Sequence, residues 1–200
     1  MAVTKTVPVE KINYAIEHCG IDLIGENKAN ELLEKFDSID TCKAEIHFIG
    51  SLQTNKVRQI IDKVSMIQSV NSLRLAEEID KRASLIGKVM DILVEVNIGG
   101  EDTKTGINPD TVYTLIEEIA TMKNVRIRGL MTIPPISEIS VLTEYFKKMY
   151  GMFLDLSTKK SDNVIIDFLS MGMSGDYREA ITCGSNIVRI GTAIFGRRAI

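Results

Sequence analysis

The sequence predicts an α/β fold: a single (β/α)8 barrel of the TIM type, forming one domain over residues 1–200. Three observations carry this. Short apolar, often β-branched runs alternate with longer segments of helical period. Eight such runs fall within 200 residues, a natural count for closure, although a doubly wound open sheet accepts the same alternation. No linker is visible, because the four prolines are scattered and no low-complexity stretch occurs.

In chain order, the first predicted strand is Ala2–Thr4, with helical period beginning near Val9. Strands Leu23–Ile24 and Glu45–Ile49 are followed by helices from about Asn27 and Asn55. Strand Met66–Gln68 leads to a helix in which Ser72 caps the first turn, and Leu75, Ile79 and Ala83 share a face. Strand Val89–Asn97 leads to a helix announced by Pro109 after Asn108. Strands Val125–Leu130 and Val164–Leu169 precede helices from Ile139 and Asp176, and Ile187–Ile190 is the eighth strand. Strand 1 is unusual: barrels of this kind generally have a helix or a longer lead-in before it, so a barrel without that N-terminal helix is expected.

Composition excludes several function classes. A net charge of -3 gives no electrostatic reason to expect nucleic acid. No apolar run reaches membrane-spanning length, and no signal peptide is visible. Cys19, Cys42 and Cys183 are far apart and form no metal-binding spacing, so buried thiols in a reducing cytoplasm are expected. With no evident apolar patch, a monomer is expected.

The most informative stretch lies near the end. Asp167 to Asp176 and Ile187 to Gly196 each begin as an apolar run and break into small hydrogen-bonding residues. Ser, Gly and Thr at two neighbouring strand ends suit a phosphate, because glycines admit backbone N–H groups and hydroxyls donate. In a barrel, chemistry collects at the C-terminal strand ends. Those ends present Lys5, Glu26 with Asn27, His47 with Gly50-Ser51-Leu52-Gln53, Asn97, Met131 to Pro135, Ser170 to Ser174, and Arg189 to Thr192. Closure makes strands 1 and 8 neighbours, which places Lys5 beside the phosphate cup. There the lysine is either a counter-ion or an amine that forms a Schiff base with a carbonyl. A ligand with both a phosphate and an aldehyde is pyridoxal 5′-phosphate (PLP).

At these residues the chain resembles the YggS/PROSC group, the pyridoxal phosphate homeostasis proteins. The resemblance runs through Ala2-Val3-Thr4-Lys5-Thr6, Gly25-Glu26-Asn27, His47 to Lys56, Gly129 to Ile133, Leu169 to Asp176 and Val188 to Gly196. It implies a barrel like the N-terminal domain of alanine racemase, with PLP as cofactor and Lys5 as its Schiff-base lysine. Ser174, Gly191 and Thr192 then hold the phosphate, Arg189 approaches the pyridine nitrogen, and Asn27 either contacts the ring or caps its helix. PLP-dependent apo-enzymes become partners. An arginine cannot accept a proton, so the ring is left a weak electron sink. The leading reading is therefore a carrier without strong catalysis, and the alternative is a PLP-dependent racemase. A two-base racemase needs a second acid–base group. Alanine racemase supplies it as a tyrosine from a second domain, and none of Tyr14, Tyr113, Tyr145, Tyr150 or Tyr177 lies at an obvious strand end. His47 reads as a satisfied barrel residue.

Overall fold

The computed structural model describes residues 1–101, 104–158 and 161–196. Its strands are β1 (Ala2–Val3), β2 (Leu23–Glu26), β3 (Glu45–Phe48), β4 (Met66–Val70), β5 (Met90–Glu95), β6 (Val125–Met131), β7 (Val164–Met173) and β8 (Ile187–Arg189). Between and after them come helices α1 (Val9–Cys19), α2 (Ala29–Lys35), α3 (Thr54–Ile60), α4 (Leu73–Leu85), α5 (Val112–Ile119), α6 (Ile139–Ser157), α7 (Tyr177–Thr182) and α8 (Thr192–Phe195). The first helix follows the first strand.

All neighbouring strands pair in parallel, in the order β1 to β8. The sheet closes on itself: Ala2 bridges Ile190, the Val3 N–H donates to the Ile190 carbonyl (2.8 Å), and the Ile190 N–H donates to the Met1 carbonyl (3.1 Å). This closure excludes the doubly wound alternative, whose sheet has free edges.

Strand alternation divides the apolar residues between two layers. Ile24, Ile46, Phe48, Ile67, Ile92, Leu130 and Leu169 join helix residues such as Ile12, Leu32, Ile60, Ile79 and Phe146 in one large core between barrel and helices. Met66, Leu93 and Met131, with Phe168 packed on them, form a small separate cluster on the opposite strand faces, inside the barrel. His47, Gln68, Ser170 and Arg189 add buried polar groups to the strands.

Local expectations hold at α4. Ser72 Oγ accepts from the Leu75 N–H (3.4 Å), and Leu75, Ile79 and Ala83 are buried. Asn108 and Pro109 open a 3-10 turn that runs into α5, with Asn108 Oδ1 accepting from the Asp110 N–H. Three expectations need correction. Strand 7 does not stop at Leu169; β7 runs to Met173, because Ser170 turns inward to a buried hydrogen-bonded partner and a register shift absorbs Gly172 (φ +95°). The cysteines are not buried thiols: Cys19 and Cys42 are exposed and Cys183 is intermediate. His47 is not at a C-terminal strand end: it lies inside β3, with Phe48 after it, and is buried. A short helix the sequence did not suggest, α8, starts at Thr192. No helix is long and apolar enough to cross a membrane among the described residues.

Candidate cofactor site

A cavity of about 290 Å³ opens at the C-terminal ends of the strands. Lys5, Asn27, Ser174, Arg189, Gly191 and Thr192, the six residues singled out from the sequence, all line it. Val3, Ile49, Ile133, Met173 and Gly175 complete the wall. A larger cavity, about 1050 Å³, lies at the opposite mouth among strand beginnings and is bordered by the ion pair of Asp91 with Arg128. Volume therefore does not choose the site; the clustering of functional groups does.

Lys5 follows β1 in a turn pinned on both sides. The Thr4 N–H donates to the Gly25 carbonyl, and Thr4 Oγ1 donates to Glu26 Oε1 (2.5 Å). Lys35 Nζ donates to the Thr4 carbonyl (3.1 Å) and pairs with Glu31. The Thr6 N–H, on a residue with φ +61°, donates to Glu31 (2.5 Å). Burial raises the Glu26 carboxyl above its ordinary range, opposed by the Thr4 hydroxyl and Lys35. The backbone around Lys5 is thus held by its neighbours. The Lys5 amine itself makes no hydrogen bond or ion pair among the described residues.

Asn27 does not cap α2. Lys28 occupies the cap position with no side-chain bond, and Asn27 Oδ1 is buried in the structure without a partner. Its backbone is braced from β3: Gly50 lies so close that an added Cβ would overlap the Asn27 carbonyl oxygen. Gly50 was legible only as part of a turn; its packing reason was not.

Ser174 and the start of α8 meet across the β7–β8 ends. Ser174 Oγ accepts from the Ala193 N–H (3.4 Å). Helix-opening N–H groups have no partner within the helix, so the Gly191–Thr192 corner offers donors beside two hydroxyls. Gly191 adopts φ -110°, which asks for no glycine, and its missing Cβ leaves only ordinary contact with Val3.

Arg189 is buried. Its Nη1 donates to Ser170 Oγ (2.7 Å) and its Nη2 to the Thr132 carbonyl (2.8 Å). Burial pushes its pKa down to about 10, against the opposing fields of Glu95 and Asp176. Burial likewise raises Glu95, whose Oε1 accepts from Thr105 Oγ1 (2.5 Å). Thr132, Ser170 and Gln68, which stand behind Arg189, were not singled out for a role. The available signal was polarity at inward positions of β4 and β7.

These residues fit PLP on their own chemistry: a free amine, two hydroxyls, an orphaned amide oxygen and a fixed cation converge on one cavity. A model of the alanine racemase N-terminal domain matches residues 1–199. A pyridoxal phosphate homeostasis protein of Aquifex aeolicus is 43% identical over 199 residues, which are 99% of this chain and 86% of that one. The chain belongs to the pyridoxal phosphate homeostasis family of alanine racemase N-terminal domains. Among solved structures, PipY of Synechococcus elongatus with PLP bound superimposes with a TM-score of 0.89 at 29% identity, covering 98% of this chain and 91% of PipY. Alanine racemase of Clostridium difficile shares the fold alone, with a TM-score of 0.69 at 21% identity, covering 100% of this chain and 52% of the racemase.

Proposed function

We propose that this family member holds pyridoxal 5′-phosphate on Lys5 and carries the cofactor without strong catalysis. The observation that carries the reading is the unpaired Lys5 amine in the same cavity as Ser174, Gly191 and Thr192, across the closed β1–β8 seam. The Lys5 amine joins the aldehyde carbon, with one water lost. Ser174 and Thr192 hydroxyls and the Gly191 N–H bind the phosphate, and the orphaned Asn27 amide meets the ring side. The bound cofactor supplies an electron-withdrawing ring, whose strength depends on protonation of its nitrogen. Arg189 faces that nitrogen as a permanent donor with no proton to share, which keeps the sink weak. None of the five tyrosines lines the cavity, which favours the carrier over the racemase reading. The names of the relatives and PLP bound in PipY support the same ligand.

The reading treats residues 1–200 as one cofactor-binding domain, supported by the single closed sheet. The proposal extends to a cytoplasmic monomer that passes PLP to apo-enzymes, a transfer that the naming of the relatives as homeostasis proteins supports, while the net charge of -3 and the absence of apolar runs of membrane-spanning length favour partners other than nucleic acid or membrane.

Borohydride reduction of the purified PLP-loaded protein, followed by peptide mapping, tests the site. The reduced adduct is expected on Lys5; an adduct on another lysine overturns the assignment. Sustained interconversion of L- and D-alanine, lost in Lys5→Ala, would overturn the carrier reading in favour of the racemase.

A further inference from the structure

The barrel interior carries a polar column that the cofactor site alone does not require. His47, Gln68, Ser170 and Arg189 are all buried, on β3, β4, β7 and β8. Arg189 Nη1 donates to Ser170 Oγ (2.7 Å), Ser170 Oγ donates to Gln68 Oε1 (2.7 Å), and Gln68 Nε2 lies 2.8 Å from His47 Nδ1. His47 lines the large cavity at the N-terminal mouth, whereas Arg189 lines the cofactor cavity at the other. The column therefore spans the barrel.

Its donor order runs one way. A guanidinium only donates, so Ser170 Oγ accepts and must send its own proton onward to Gln68 Oε1. That turns the Gln68 NH2 towards His47 Nδ1, which must accept. His47 is then neutral, with its proton on Nε2, and Nε2 faces the Glu45 carboxylate at 3.8 Å. Reversing the Gln68 amide would strand the Ser170 proton and point the bare Nε2 lone pair at a carboxylate. Burial opposes a charge on His47, and the chain's amino terminus acts in the same direction; Glu45 and Asp91 oppose them. At the other end, Glu95 and Asp176 are the acidic groups whose fields reach Arg189.

We propose that Ser170, Gln68 and His47 are positioning residues that aim Arg189 at the cofactor, so that the state of His47 at one barrel mouth is coupled to PLP binding at the other. This rests on the reading that the cavity takes PLP. Buried hydrogen bonds to charged groups are worth enough to shift affinity about tenfold. Ser170→Ala is expected to weaken PLP binding about tenfold and His47→Phe about fivefold. The double variant is expected to be no weaker than Ser170→Ala, whereas independent sites multiply their losses. His47→Gln, whose amide oxygen can accept from Gln68, is expected to restore affinity to within about twofold.

Multiplied losses, or a His47→Phe protein that binds PLP like the wild type, overturn the coupling. If these variants fail to fold, ¹⁵N–¹H spectra of the wild-type His47 ring decide the donor order, and a proton on Nδ1 overturns it. Failure of the cofactor reading looks different: no borohydride-fixed adduct forms on Lys5 in the wild type, while the His47 tautomer still tests the column.

Discussion

His47 shows how burial of one ring sets a property of the whole protein. Burial pushes its pKa from 6.5 down to about 4, opposed by Glu45. Between those values the unfolded chain takes up a proton that the folded protein refuses, so stability falls as pH drops through that window. Glu26 and Glu95 act with the opposite sign, because their raised values favour the folded state as pH falls. Comparison with a variant isolates the histidine. Between pH 7 and pH 5 the wild type is expected to lose about 2 kcal/mol more than His47→Gln, measured by urea unfolding. Asn27 makes the second residue-scale prediction. Its buried oxygen lacks a partner in the structure, so Asn27→Ala is expected to leave Tm nearly unchanged while weakening PLP binding about fivefold. An unchanged PLP affinity in a fluorescence titration would remove Asn27 from the site.

Two glycines show how elements place those residues. In β6, Gly129 has φ +148°, and an added Cβ would overlap the Phe168 carbonyl oxygen of β7. The register shifts at this point towards both β5 and β7. The shift sets the positions of Met131 and Thr132, whose carbonyl holds Arg189. Gly129→Ala is expected to destabilise by about 3 kcal/mol or more, read as a lower urea midpoint. Gly50 acts by close approach, so Gly50→Ala is expected to displace Asn27 and to weaken PLP binding at least as much as Asn27→Ala does. A Gly50→Ala protein with wild-type PLP affinity would show that the brace is not needed. Helix α4, by contrast, follows from local sequence, since its cap and its buried face come from residues within a few turns of one another.

The strands of the seam are the shortest of the eight, and they border the candidate cofactor cavity. β1 has two residues and β8 three, against six in β5 and seven in β6. Short ladders open at lower free energy than long ones. The Val3 and Ile190 amides, which close the barrel, are expected to exchange hydrogen faster than those of Ile92 and Leu130. PLP would join Lys5 on one side of the seam to Gly191 and Thr192 on the other, so binding is expected to slow the seam amides selectively. Uniform slowing across all strands would argue against a ligand that bridges the seam.

Taken alone, the sequence determined the alternation of elements and six of the residues in the cavity wall, and it favoured the barrel by the count of its strands. Period, turn residues and strand ends are local properties, whereas the β1–β8 pairing that closes the sheet joins the two ends of the chain. It misjudged β7, because the inward turn of Ser170 depends on Gln68, 102 residues away. Only the tertiary structure decided that Asn27 leaves its oxygen unpaired rather than capping α2, that Gly50 braces it, and that a column of hydrogen bonds crosses the barrel. Each of these depends on contacts between strands distant in sequence, and no local pattern records which buried polar group meets which.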